Sequence, residues 1–191
     1  MASQPIPFVT PEQYLEWERE SPTKHEYFNG EIIALSGSSF DHNLIASNIL
    51  RLFGEQLKGR RCREFGSDLR MAIGSQRLIC YPDVLVACPP FEFLPQVADT
   101  LVNPVFVVEI LSHSTRSRDR SFKLPHYREI TSLKGYLLIE QEPVSLEFGC
   151  LVSPGQWTVD VISDIDAILE LPFLECRLPV SQIYADVSLP V

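Results

Sequence analysis

The sequence predicts a mixed α/β domain, and three observations carry that reading. An Asn-Gly pair, Asn29-Gly30, separates two β-prone runs, which is the strongest short hairpin signal because both turn residues favour positive φ. From Ser39 to Leu57 apolar residues recur at helical spacing: Phe40, Leu44, Ile45, Ile49, Leu52, Phe53 and Leu57. Pro104–Leu111 is a continuous apolar run of strand length, as expected of a central strand buried on both faces.

In chain order, residues 1–9 read as a loose arm. Thr10-Pro11-Glu12-Gln13 is a helix start, with a Thr cap, Pro at the first helical position and Gln three after the cap. That helix runs to about Glu20, takes apolar surface from Tyr14, Leu15 and Trp17, and stops at Ser21-Pro22. The hairpin around Asn29-Gly30 follows, then the long helix, which Gly59 ends. Strands are expected near 62–65, 68–73 and 78–87. Residues 88–103 show no clear element. After the central strand, 117–130 reads as a helix disturbed by Pro125, then strands near 134–140, 144–151 and 156–162, and one helical turn around 181–184.

The chain has 191 residues, 45% of them hydrophobic and 21% charged, so it can bury a core and is neither disordered nor fibrous. No apolar stretch is long enough to span a bilayer. The first residues carry no basic or apolar leader, so a cytoplasmic protein is expected. Five cysteines at wide spacings, without a C-x-x-C pair, do not read as a zinc site; they are expected as small core residues. There is no G-x-S-x-G elbow, Walker loop or dinucleotide fingerprint.

Net charge is −9, yet it is unevenly placed: residues 139–191 hold nine acids and one base, whereas residues 1–138 hold sixteen acids and fifteen bases. Two basic clusters, Lys58/Arg60/Arg61/Arg63 and Arg116/Arg118/Arg120/Lys123/Arg128, read either as nucleic-acid contacts or as solvated surface.

The chemical signal is a pair of acids in apolar surroundings. Glu109 interrupts Val-Phe-Val-Val-Glu-Ile-Leu, and Asp83 follows Tyr81-Pro82 and precedes Val84-Leu85-Val86. An ionised carboxylate in such a run is costly unless a positive partner offsets it. One divalent cation shared by both acids is the simplest partner, because Mg²⁺ is held by one or two carboxylates plus water and phosphate oxygens.

These residues, with the upstream Glu26-Tyr27-Phe28-Asn29-Gly30-Glu31, the opening Thr-Pro-Glu-Gln-Tyr-Leu, the Lys123…Tyr127-Arg128 helix, the Gly135-Tyr136-Leu137-Leu138-Ile139 strand and the closing Leu178-Pro179-Val180-Ser181-Gln182-Ile183-Tyr184, resemble the Uma-type family (domain of unknown function 820) over roughly residues 10–187. Its members carry a restriction-endonuclease label and are placed in the PD-(D/E)XK nuclease superfamily. The resemblance implies one domain over 10–187. Its fold would be a restriction-endonuclease-like mixed β-sheet flanked by helices, with an N-terminal hairpin. It implies an endonuclease that hydrolyses DNA phosphodiesters with Mg²⁺, or Mn²⁺, and that acts as a homo-oligomer, first of all a dimer. The alternative is a nuclease-fold module without turnover.

By that resemblance Asp83 is the metal-binding Asp, Glu109 the acid of the D/E-x-K element, Glu26 an additional acid, and the Ile110 carbonyl a further metal ligand. The superfamily expects Lys two residues after the acid, where this chain has Leu111. Lys123, on the following helix, is the natural substitute if that helix folds back over the sheet; otherwise it is a phosphate-binding or solvated lysine. Arg116 and Arg120 are weaker candidates for substrate contact. His42 could touch substrate or support the site, or serve only its helix start. Ser67-Asp68 and Gln141 could lie at the cleft. Three clustered carboxylates without metal should repel, raising at least one pKa.

Overall fold

The computed structural model describes residues 8–74, 76–112 and 116–189. Helix α1 (Pro11–Glu20) starts as expected: the Thr10 side chain accepts from the Gln13 N–H, and the Gln13 side chain accepts in return from the Thr10 N–H. Val9, expected in a loose arm, is tied down, since its N–H donates to the Gly30 carbonyl and its own carbonyl accepts from the Tyr27 hydroxyl. Residues 1–7 lie outside the described residues. Strands β1 (His25–Phe28) and β2 (Glu31–Ala34) form the hairpin, with φ of +45° at Asn29 and +97° at Gly30. Helix α2 (Phe40–Leu57) is capped by Ser39.

Two mixed sheets follow from the remaining strands. β3 (Arg63–Gly66), β6 (Val84–Ala87), β9 (Pro104–Leu111), β10 (Gly135–Glu140), β11 (Ser145–Ser153) and β12 (Gln156–Ile162) build one sheet in the order β12-β11-β10-β9-β6-β3, with β9 and β10 parallel. β4 (Arg70–Ile73), β5 (Leu78–Cys80), β7 (Phe93–Leu94) and β8 (Val97–Leu101) join the hairpin in a second sheet, β2-β1-β5-β4-β8-β7. A small hairpin, β13 (Ile168–Leu171) with β14 (Cys176–Pro179), and the turn α5 (Val180–Ile183) close the chain.

Three expectations change here. The strand foreseen over 78–87 is two strands in two sheets. Pro82 has no N–H to donate, and the chain crosses from one sheet to the other at Pro82-Asp83. Residues 88–103 contain β7 and β8; β8 pairs with β4 and β7, buries Thr100 and Leu101, and carries the exposed Asp99, whose carboxylate pairs with Arg70 at 2.5 Å. The segment after β9 is a helix of three parts, α3 (Arg116–Arg118), a π-helical turn (Asp119–Lys123) and α4 (Leu124–Tyr127).

The period-2 alternation of strands decides what faces what. On β9 the even residues Phe106, Val108 and Ile110 pack with Val84 and Val86 against Ile45, Ile49 and Phe53 of α2. The odd residue Val107 packs with Leu85, Ala87 and Tyr127 against Met71, Ile73, Leu78 and Cys80 of the other sheet. Glu109, also odd, therefore points into the layer between the two sheets. On β1 Tyr27 packs on Tyr14 and Leu15 of α1, which turns Glu26 and Phe28 into the same layer from the opposite side. No described helix is long and apolar enough to cross a membrane.

The cysteines do not all behave as free core residues. Cys62 and Cys88 form a disulfide, while Cys80 and Cys176 are buried thiols. Register explains the pair: Arg63 faces Ala87 across β3 and β6, so the flanking Cys62 and Cys88 come opposite each other. The crosslink spans 26 residues of chain, for which restricted unfolded-state entropy is worth about 3 kcal/mol. Urea unfolding with and without reductant, with Cys88→Ser as control, should show a loss of that order. An unchanged midpoint would mean the bond adds no stability.

Candidate active site

Glu109 is 3% exposed and Glu26 is fully buried, facing each other from different sheets. The helix after β9 folds back over this layer and supplies the positive charge. The Lys123 ammonium lies 2.9 Å from Glu26 Oε1, 3.1 Å from Asp119 Oδ1 and 3.2 Å from Glu109 Oε1. Lys123 thus enters from the helix, and Leu111, two residues after Glu109, is buried against Leu124, Tyr136 and Leu138. Arg118 holds the other oxygen of Glu26 at 3.0 Å. The Tyr127 hydroxyl donates to Glu109 Oε1.

Asp119 and Tyr127 were not foreseen as part of the site. The signal was present: Asp119, Lys123 and Tyr127 are spaced i, i+4, i+8. The π-helical turn carries both Asp119 and Lys123, and single π turns within helices concentrate at functional sites.

Asp83 stands at the mouth of the layer. Its Oδ2 accepts from the Ile110 N–H at 2.7 Å and lies 3.2 Å from His42 Nε2. The ladder between β6 and β9 stops at Val84 opposite Val108, and Asp83 supplies by side chain the acceptor that a further rung would have supplied. A strand residue's N–H and C=O point to the same side, so the Ile110 carbonyl faces the Asp83 side as well. Among the described residues, the contacts of Asp83 with the Ile110 N–H and His42 fall on Oδ2, and the hydrogen bonds to Glu109 from Lys123 and Tyr127 fall on Oε1.

These groups line a cavity of about 450 Å³ that includes Glu26, His42, Asp83, Glu109, Ile110 and Lys123. Gln141 lines it too, accepting from the Ser39 hydroxyl and donating to the Leu111 carbonyl. Asp119 reaches the same cavity.

Other candidates sit elsewhere. Arg116 pairs with Glu140 at 2.6 Å, and Arg120 pairs with Glu140 and Glu147; neither lines the cavity. In the other basic cluster, Arg63 donates to the Leu57 and Arg60 carbonyls at the end of α2, and Arg60 to those of Leu174 and Glu175. Asp68 is exposed and pairs with Lys24.

Burial pushes the Glu109 carboxyl well above its ordinary range; Asp119 and Asp83 add to this, and Lys123 and the Tyr127 hydrogen bond oppose it. For Lys123, burial alone lowers the pKa, but Glu109, Glu26 and Asp119 outweigh it and hold the ammonium well above its usual value. Among the described residues the layer is short of positive charge: with Glu26, Glu109 and Asp119 ionised, Lys123 and Arg118 are the cations that pair with them.

The donors suit a hard cation, being carboxylate and carbonyl oxygens. Among the described residues no three His, Cys, Asp or Glu groups converge as a ready-made metal cage. Mg²⁺ does not need one, because it keeps several waters and takes substrate oxygens.

Comparison with known proteins gives the family and the fold. A family model described as "Putative restriction endonuclease" matches residues 11–181. Two proteins of Synechocystis sp. (strain ATCC 27184 / PCC 6803 / Kazusa), both titled uncharacterized, are similar: slr1290 is 35% identical over 82% of this chain and 82% of its own length, and sll1609 is 32% identical over 87% and 94%. A solved structure from Anabaena variabilis ATCC 29413, titled a putative nuclease belonging to DUF820, superposes with a TM-score of 0.70 at 22% identity, covering 93% of this chain and 98% of that one, and so shares the fold. With the match spanning residues 11–181 of the chain, this protein belongs to the Uma2 family of restriction-endonuclease-like proteins.

Proposed function

We propose that the protein is a Mg²⁺- or Mn²⁺-dependent endonuclease that hydrolyses nucleic-acid phosphodiesters, DNA first. The observation that carries the reading is the cavity that Asp83 and Glu109 line together with Ile110. Asp83 Oδ1, Glu109 Oε2 and the Ile110 carbonyl are the groups we assign to the cation. When bound, the ion would supply Lewis-acid polarisation of the phosphate and a water of lowered pKa.

The protein's own residues then have distinct tasks. His42 and the Ile110 N–H fix the Asp83 carboxylate. Lys123 and Tyr127 fix Glu109, and Lys123 offsets negative charge that develops beside it. Glu26 and Asp119 keep Lys123 charged and in place. The buried Cys80 thiol has its pKa raised by burial and is no nucleophile.

A second reading, a nuclease-fold module without turnover, is favoured by one feature: all three nearby arginines of the basic cluster, Arg116, Arg118 and Arg120, are spent on the protein's own acids. Plasmid nicking in Mg²⁺ or Mn²⁺ separates the two. Cleavage that Asp83→Ala abolishes, with the fold intact by circular dichroism, supports the enzyme. Absence of cleavage of plasmid and of single strands by folded protein in both metals supports the module. Cutting both strands of a duplex would call for a dimer, which light scattering reads.

A further inference from the structure

We infer that the strand this site accepts is unpaired. The inference rests on the nuclease reading above and narrows its substrate to single-stranded or locally melted nucleic acid.

The cavity holding Asp83 and Glu109 adjoins a second one of about 310 Å³. The two share Leu35, Ser36, Gly37, Ser38, Tyr81 and Asp83, so Asp83 stands where they join. A phosphodiester placed at Asp83 would have chain running into both lobes, which suits an internal bond.

Charge then selects the form of that chain. Among the described residues lining the two lobes, the acids are Glu26, Asp83, Glu109 and Asp119, and the fixed cations are Lys24 and Lys123 alone. Both lysines are already ion-paired, Lys24 with Asp68 at 2.5 Å and Lys123 with three acids. A duplex brings one phosphate charge per about 1.7 Å of its axis, whereas one strand brings one per about 3.4 Å. A lining with this balance tolerates the second far better than the first.

The remaining lining suits exposed bases. Thr23, Ser36, Ser38 and Ser67 offer uncharged polar groups in the second lobe and its junction. The Tyr81 ring borders both lobes. Its hydroxyl is anchored to Glu18 at 2.9 Å, and Lys24 Nζ lies over one face of the ring, 5.4 Å from its centroid, which leaves the opposite face for a base. A held aromatic ring beside a cation is the contact that an unstacked base and its phosphate require, and a duplex cannot present that base without melting.

The test is fluorescence anisotropy of the full-length protein in Ca²⁺ at low salt, with a labelled DNA strand, its RNA equivalent, and the DNA strand annealed to its complement. The expected result is at least roughly tenfold tighter binding of one or both single strands than of the duplex. Tyr81→Leu should weaken single-strand binding by about tenfold, whereas Tyr81→Phe, which keeps the ring, should restore most of it. Equal or tighter binding of the duplex, or no binding of any strand, overturns the inference. Cleavage assays of the same oligonucleotides in Mg²⁺ and Mn²⁺ separate the two levels. Duplex-preferring cleavage sinks the single-strand inference and leaves the nuclease reading standing. Single-strand binding without cleavage in either metal sinks the nuclease reading and leaves the binding preference.

Discussion

Glu109→Gln should abolish metal-dependent cleavage and, in the same protein, raise stability in the absence of metal. The loss of activity follows from removing one of two carboxylates assigned to the cation and should be at least a hundredfold or so. The gain in stability follows from the charge balance of the buried layer, where three acids face Lys123 and Arg118. A glutamine leaves two acids against two cations and still offers Lys123 and Tyr127 an acceptor. A gain on the order of 1–2 kcal/mol is expected, as when a strained functional site is relieved.

The pH dependence gives this prediction its sign. The folded-state pKa of Glu109 lies well above the ordinary 4.5, chiefly through burial. Between 4.5 and that raised value the native state binds more protons than the unfolded state, so this group's contribution to stability falls as pH rises. Urea unfolding of metal-free wild type should show that fall, and Glu109→Gln should not. Cation binding must displace the same proton, so affinity for Mn²⁺ should tighten with pH across the same window. Identical pH profiles for wild type and variant would contradict the assignment.

Lys123→Met is the change with the largest expected effect on folding. It leaves Glu26, Glu109 and Asp119 around a site that is nearly all buried, with Arg118 as the remaining cation. Removing one partner of a buried ion pair costs about 3–5 kcal/mol, against a total stability of roughly 5–15 kcal/mol. The variant should therefore unfold at much lower urea, and Glu26→Gln added to it should recover part of the loss. Because the carboxylates outweigh burial and raise the Lys123 pKa, its contribution is fully present below the ordinary 10.5 and is lost as pH rises through the folded value. Wild type should show that alkaline loss and Lys123→Met should lack it. A Lys123→Met protein as stable as wild type would show that the ammonium does not hold the layer together.

How much of this was legible in the chain depends on the range of the interaction. The hairpin, the capping box of α1 and the apolar period of α2 are local, and each is where residue type and spacing place it. Glu109 stood out because a strand with both faces apolar leaves no cheap place for a carboxylate. Lys123 was expected only through the family resemblance, as the substitute for the lysine that Leu111 does not supply. What was not legible depends on tertiary pairing. Asp99 breaks the apolar alternation of β8, and the strand's partner β4 and the arginines that pair with Asp99, Arg70 and Arg19, lie far from it in sequence. The break of 78–87 into two strands needed knowledge that two sheets meet at Pro82, and the Cys62–Cys88 bond needed the register of β3 with β6. Arg116 and Arg120 looked like substrate contacts because the acids that occupy them, Glu140 and Glu147, lie on strands far along the chain.

The measurement that bears most directly on the paired-acid site is a Mn²⁺ titration followed by electron paramagnetic resonance, run on wild type, Asp83→Asn and Glu109→Gln. The geometry predicts saturable binding to the wild-type chain and a loss of affinity of about tenfold or more in each single variant, without loss of fold. Manganese bound equally by all three proteins, or by none, would mean that Asp83 and Glu109 do not grip a cation together.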